Sequence, residues 1–278
     1  MRTAELFAWI LERHTISINK ALGMPKPWTM DRILGSYRFC NVYRELDSVT
    51  KWIAENWREP FDNDPDLWFA MVVARLINWP ETLRAIGLPL PYDHKKFVGM
   101  VHDRQSRGFK AFSGAYIVST NGHAMDKAEY LDKYVLKPLW DQRAHVRPME
   151  GDTLQSFYDR LSKFNGMGSF MTGQVIADTK YVGCLFNAPD WWVWAASGPG
   201  SRRGLNRVTS RPVDASWPGA SWHNALMELK AEIDPLVAEH DMPMIHAQDL
   251  QNCLCEFDKY ERTRLGEGRP RSGYPGGL

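Results

Sequence analysis

Two glycine-centred devices in residues 161–207 (LSKFNGMGSFMTGQVIADTKYVGCLFNAPDWWVWAASGPGSRRGLNR) constrain what the rest of the chain can be. Ahead of the first, residues 153–164 place Leu154, Phe157, Leu161 and Phe164 at the spacing of one helix face. Residues 170–181 continue the pattern through Val175, Ile176 and Ala177. Asn165-Gly166-Met167-Gly168 must therefore turn the chain between two helices, and glycine admits the positive φ and close backbone approach such a turn needs. Ser169 is the expected cap of the second helix, whose first N–H groups then face outward and suit a phosphate. An ordinary helix-helix turn that binds nothing fits the same residues. The second device, Gly198-Pro199-Gly200-Ser201-Arg202-Arg203-Gly204, sets glycine backbone beside the densest basic cluster in the chain and reads as an anion cradle.

The remaining segments share the helical period. Residues 3–22, 31–37, 41–57, 65–78, 80–87, 93–107, 125–140, 221–240 and 246–260 are expected as helices, with Pro235 bending or splitting the penultimate one. On 41–57, Arg44, Asp47 or Ser48, and Lys51 would share a polar face. The strongly apolar 65–78 is expected in the core. Residues 109–119 contain a possible short extended run, Ala-Tyr-Ile-Val. Residues 263–278, rich in Gly, Pro and Arg, read as a flexible basic tail whose Arg264, Arg269 and Arg271 can touch DNA backbone. The expectation is a mainly α chain with one helical domain over residues 1–262.

With 44% hydrophobic residues and 12 Trp in 278 positions, the chain can bury a substantial core. A formal net charge of +1 excludes a uniformly basic DNA-coating protein, so any nucleic-acid footprint must be local. Cys40, Cys184, Cys253 and Cys255 lack paired CxxC spacing, and no signal peptide is evident, so a reducing cytoplasm is expected. No apolar run is long enough to span a membrane. There is no GxxxxGK[ST], HExxH or GxSxG. His240, Asp241 and His246 match no strong ligand spacing, and neither a metal nor another cofactor is expected.

Residues 161–177 resemble the helix-hairpin-helix of base-excision DNA glycosylases. That resemblance implies hairpin amides on a DNA phosphate and a downstream aspartate facing an extruded nucleotide, with Asp190 and then Asp178 as candidates. The Schiff-base lysine of lyase members has no match, because Ser169 and Phe170 follow the second glycine. Three longer blocks, PWTMDRILGSYRFCNVYRELD, GPGSRRGLNR and LCEFDKYER, resemble the alpha-glutamyl/putrescinyl thymine pyrophosphorylases, or amino acid:DNA transferases. The same signatures occur in the helical domain of 5-hydroxymethyluracil DNA kinases.

The resemblance implies a glycosylase-like helical fold of largely phage-encoded occurrence, acting in host cytoplasm on double-stranded DNA, with a 5-hydroxymethyluracil DNA kinase as pathway partner. An amine displaces pyrophosphate from the 5-methylene of a modified uracil flipped out of the duplex. Glycine or another amino acid is favoured over a polyamine such as putrescine. Asp190, Asp178, Arg44, Asn41 and Asp47 are the implied catalytic candidates. Gly200, Ser201, Arg202, Arg203 and Asn206 are candidates for pyrophosphate, and Asn165, Gly166, Gly168, Ser169 and Arg207 for DNA. Other uses stay open: Asp190 as a helix cap, Trp191, Trp192 and Trp194 as core or as base-stacking rings, and Glu256, Asp258 and Lys259 as a surface charge cluster. So do other functions, namely a hydrolytic glycosylase, a non-catalytic DNA-binding subunit, or a helper domain of a kinase.

Overall fold

The computed structural model describes residues 1–114, 116, 119–270 and 273–274. Ala115 and Ile117 of the Gly114–Ile117 pattern, and Arg271 of the tail, lie outside the described residues. In chain order the helices are α1 (Thr3–Ala21), α2 (Arg32–Ser36), α3 (Ser48–Ile53), α4 (Leu67–Ile77), α5 (Pro80–Ile86), α6 (His94–Ser106) and α7 (Lys127–Leu131). They continue as α8 (Lys137–Asp141), α9 (Arg143–Val146), α10 (Leu154–Leu161), α11 (Ser169–Thr179), α12 (Pro199–Val208), α13 (Ser221–Glu239) and α14 (Ala247–Arg264). The fold is mainly helical, and the described residues contain one isolated bridge, Tyr37 to Gly273, and no strand.

Where the expectation was one domain over 1–262, the described residues divide into two compact units, Met1–Asp47 with Ala195–Leu278, and Ser48–Trp194. The second is thus an insertion in the first. Helical periodicity reports which face of a helix is apolar but not which helix covers it, so this division has no signature in the pattern.

In the first unit, α1 and α13 bury Leu6, Ile10, Leu226 and Leu229 against α14, which contributes Leu250 and Leu254. Pro235 lies inside α13 without splitting it. Residues 198–207, expected as a loop, are instead the start and body of α12. Pro199 at the first helical position has no N–H to leave unpaired, and Ser201 Oγ accepts the Gly198 N–H at 3.1 Å, which closes the N-terminus. Gly200 and Gly204 then present a bare stripe to α14. A Cβ on Gly204 would fall 2.7 Å from the Leu254 carbonyl carbon, and one on Gly200 would collide with Cys255 Sγ.

In the second unit, every residue of α4 is buried. Its one charged side chain, Arg75, makes a two-bond ion pair with Asp178 of α11 and donates to Thr50 Oγ1 at 3.0 Å. Pairing of this kind lets a guanidinium survive in an apolar core. The expected 41–57 helix is broken, because the Asn41 N–H and Nδ2 both donate to Asp47 Oδ1, a local bond that competes with helix formation. A 3-10 turn, Arg44–Leu46, takes the place of the first helical turns, and α3 runs on as a π turn, Ala54–Arg58. Arg44, Asp47 and Lys51 therefore do not share a helix face. A second π turn, Asp132–Leu136, joins α7 to α8 within the expected 125–140 helix.

Candidate functional site

In the first unit, α14 is the organising element. Asp249, Asn252, Cys253 and Glu256, at i, i+3, i+4 and i+7, form one face and hold the segment 40–47. Asp249 Oδ1 accepts the Arg44 N–H at 3.1 Å, and Glu256 Oε2 accepts the Cys40 N–H at 2.9 Å. Asn252 Nδ2 donates to the Asn41 carbonyl at 3.2 Å. From α1, buried Arg13 donates to the Cys40 and Phe39 carbonyls and to Asn41 Oδ1, all within 3.0 Å, and its Nη1 is buried with no hydrogen-bond partner. Asn41, bonded on both sides, orients the half-buried Asp47.

This arrangement brings Asn41, Arg44 and Asp47 together around one carboxylate. Burial raises the Asp47 pKa above the usual aspartate value, against the lowering effect of the Asn41 backbone donor and of Arg44. The Glu256, Asp258 and Lys259 group is not a surface cluster: Glu256 and Asp258 are buried, and Glu256 meets Lys259 Nζ at 2.6 Å. Arg13 escaped sequence reasoning because it lies on an amphipathic helix far from the segment it braces. The one signal pointing to Glu256 was its place in the LCEFDKYER block.

Along α12 the basic side chains have different surroundings. Arg207 is buried between Asp258 and Glu267, and Arg203 bridges Asp214 and Asp258. Arg202 is exposed, bonds Ser197 Oγ at 2.8 Å, and meets no carboxylate among the described residues. Asn206 is buried and donates to the Val213 and Ala215 carbonyls. Gly200 and Gly204 serve close helix packing against α14, and Gly204, inside α12, is not part of an open loop as expected. Ser201 likewise is buried as a cap.

In the second unit, the turn between α10 and α11 has Gly166 at φ +77°, where a Cβ would also lie 2.7 Å from Val135 Cγ2. Gly168, not Ser169, is the N-cap of α11, and no side chain caps that helix. Both residues are exposed. Asn165 braces the turn: its Nδ2 donates at 3.2 Å to the Tyr134 carbonyl. The usual i+4 donor for that carbonyl would be residue 138, a proline without an N–H. Asp178 is fully buried in its ion pair. Asp190 accepts the Leu154 and Gln155 N–H groups at 2.7 and 3.0 Å, so it caps α10. Trp194 is buried, whereas Trp191 is pinned by reciprocal bonds with Lys180 and Trp192 is half exposed. Tyr116 donates to Gln174 Oε1 at 2.6 Å.

Among the described residues no group of three His, Cys, Asp or Glu side chains is placed to hold a metal, and no helix is long and apolar enough to cross a membrane.

Compact helical units, a glycine hairpin and a basic helix packed on α14 define a mainly helical protein. The chain belongs to the family described as "5-hmdU DNA kinase, helical domain", whose model matches residues 2–269. It is 24% identical over 225 residues to a 5-hmdU DNA kinase of Bacillus phage SP10, covering 73% of this chain. It spans only 35% of that relative's length. No solved structure matches.

Proposed function

We propose that the chain is a DNA-modifying transferase of thymine hypermodification, replacing the pyrophosphate of 5-pyrophosphoryloxymethyluracil in duplex DNA by an amine, with an amino acid such as glycine favoured. The observation that carries this reading is the Asn41–Asp47 cluster, a carboxylate oriented by Asn41, raised by burial, and braced by Arg13 and α14. In the reaction the methylene C–O bond breaks and pyrophosphate leaves with the electron pair. The amine nitrogen forms the new C–N bond. Asp47 takes the proton that the incoming ammonium must lose, a task suited to a carboxylate more basic than usual. Arg202, uncommitted to any carboxylate, is assigned to the departing pyrophosphate, where charge grows as the bond breaks. The hairpin from Asn165 to Ser169, exposed at Gly168 and Ser169, is assigned to a DNA phosphate through the free N–H groups of α11. A 5-hydroxymethyluracil DNA kinase would be the pathway partner that supplies the phosphorylated base.

Kinship with the helical part of a kinase favours a second reading, in which the chain binds DNA for a separate phosphotransferase and does no chemistry itself. Mass spectrometry of nucleosides decides between them, using duplex carrying 5-pyrophosphoryloxymethyluracil, a mixture of amino acids and polyamines, and the protein. The transferase yields an amine adduct and free pyrophosphate, and Asp47→Asn lowers the rate by on the order of 10² to 10⁴. A base left intact with every amine rejects the transferase.

A further inference from the structure

Beside the hairpin lies an open recess of about 550 Å³, walled by α9, the end of α10 and the turn that follows. Its polar lining is Gln142, His145, Arg160, Lys163 and Asn165, over an apolar floor of Val146 and Phe164. No carboxylate is among these residues. The sign distinguishes it from two further recesses of the same unit: one of about 260 Å³ is lined by Asp62, Asp64 and Glu150 among others, and another mixes lysines with Glu129 and Asp132.

The cations of the recess differ in how far they are committed. Arg160 is fixed by a two-bond ion pair with Asp152 and by the Arg147 carbonyl, so it lines the recess as a rigid side chain whose charge is already matched. Lys163 is exposed and its side chain has no hydrogen-bond or ion-pair partner among the described residues; the exposed His145 ring likewise has none, while its backbone N–H donates to the Gln142 carbonyl. Asn165 belongs to both the recess and the hairpin and is tied to the Tyr134 carbonyl. The recess therefore shares a residue with the turn that leads into α11. A concave surface with an unpaired lysine and no carboxylate among its lining residues, sharing Asn165 with the hairpin, suits a chain of phosphates rather than a single enclosed anion.

We propose that this recess is a second anchorage for the DNA backbone, in which Lys163 contacts a phosphodiester beside the one assigned to the hairpin and Arg160, Gln142 and His145 line its path. The proposal rests on the reading of the hairpin as DNA-binding, and names a further site for the same ligand. It assigns Lys163 to affinity and register, not to chemistry.

The test is fluorescence anisotropy with an unmodified duplex across a salt series, for the full chain, Lys163→Ala, Lys163→Glu, His145→Ala and, as control, Lys20→Ala at the exposed end of α1. Loss of one phosphate contact lowers the slope of log affinity against log salt by about 0.9. Lys163→Ala is expected to show that change with a several-fold loss of affinity, and Lys163→Glu a larger loss, while Lys20→Ala matches wild type and circular dichroism is unchanged throughout. Wild-type binding with an unchanged slope in Lys163→Ala overturns the recess and leaves the hairpin reading standing. A wild type that does not bind duplex overturns both. If Lys163→Ala abolishes binding of inorganic pyrophosphate but not of duplex, the recess is a small-anion site and the backbone assignment is wrong.

Discussion

Gly204→Ala probes the packing on which the first unit depends. The new Cβ would lie 2.7 Å from the Leu254 carbonyl carbon and nearer still to its oxygen, where ordinary contact begins at 3.4 Å. The two helices must therefore part by at least about 0.7 Å on the carbon's account, and by more for the oxygen. The obstacle is helix backbone, which has no rotamer to swing away. Overpacking of this kind costs about 1–3 kcal/mol and occasionally more. Alanine in place of a helical glycine returns about 1 kcal/mol through propensity; with the cost at about 3 kcal/mol, the upper end, because the obstacle is backbone, the net expectation is a loss of about 2 kcal/mol. Gly99→Ala is the matched control: it sits inside α6 with nothing within 4 Å of its would-be Cβ, and should stabilise by about 0.5–1 kcal/mol. Chemical denaturation of each variant against wild type, following the transition of its own unit, reads both signs. A neutral or stabilising Gly204→Ala would refute the claim that α12 and α14 are in contact through that glycine.

Asp178→Ala leaves the Arg75 guanidinium buried without its carboxylate and is expected to cost about 3–5 kcal/mol, measured by denaturant unfolding. A paired Arg75→Met, Asp178→Leu replacement should lose much less, because no charge is then stranded. Asp190→Ala removes the acceptor of the Leu154 and Gln155 N–H groups while the Thr153 capping box of α10 stays in place, and should cost about 1 kcal/mol in the same assay, with Asp190→Asn largely spared. Since burial raises the pKa of Asp47, the folded state binds its proton more tightly than the unfolded chain does. Its contribution to stability is therefore present at low pH and declines as pH rises from the ordinary aspartate range through the raised value. Asp47→Asn, neutral at every pH, should flatten that part of the stability profile in a pH series of unfolding curves, and an unchanged profile would count against a buried Asp47.

Local patterns carried the long helices, while the expected cap of α11, Ser169, is displaced by Gly168. The unbroken apolar run of α4 marked a core helix, and Asp31, Asp93 and Asp126 each accept a backbone N–H where a helix begins. What failed were positions where glycine or asparagine had two local meanings. Gly200 and Gly204 carry the composition of a loop, yet their i, i+4 spacing with Leu205 and Val208 behind them also suits a helix pressed against another. Only the presence of α14 chooses between these. Asn41 and Asp47 suit a polar helix face as well as a local clasp, and the clasp is supported by Arg13, Glu256 and Asp249, none of which is near in sequence.

The same helix links these two misread regions. One face of α14 holds the 40–47 segment through Asp249 and Glu256, while Leu254, Cys255 and Asp258 engage α12. A displacement of α12 at Gly204 therefore has a route to Asp47 that passes through one rigid element. If Asp47 is the proton acceptor, a folded Gly204→Ala protein should lose turnover, through Asp47 by way of α14 and through Arg202 on α12 itself, and keep its duplex affinity, because the hairpin lies in the other unit.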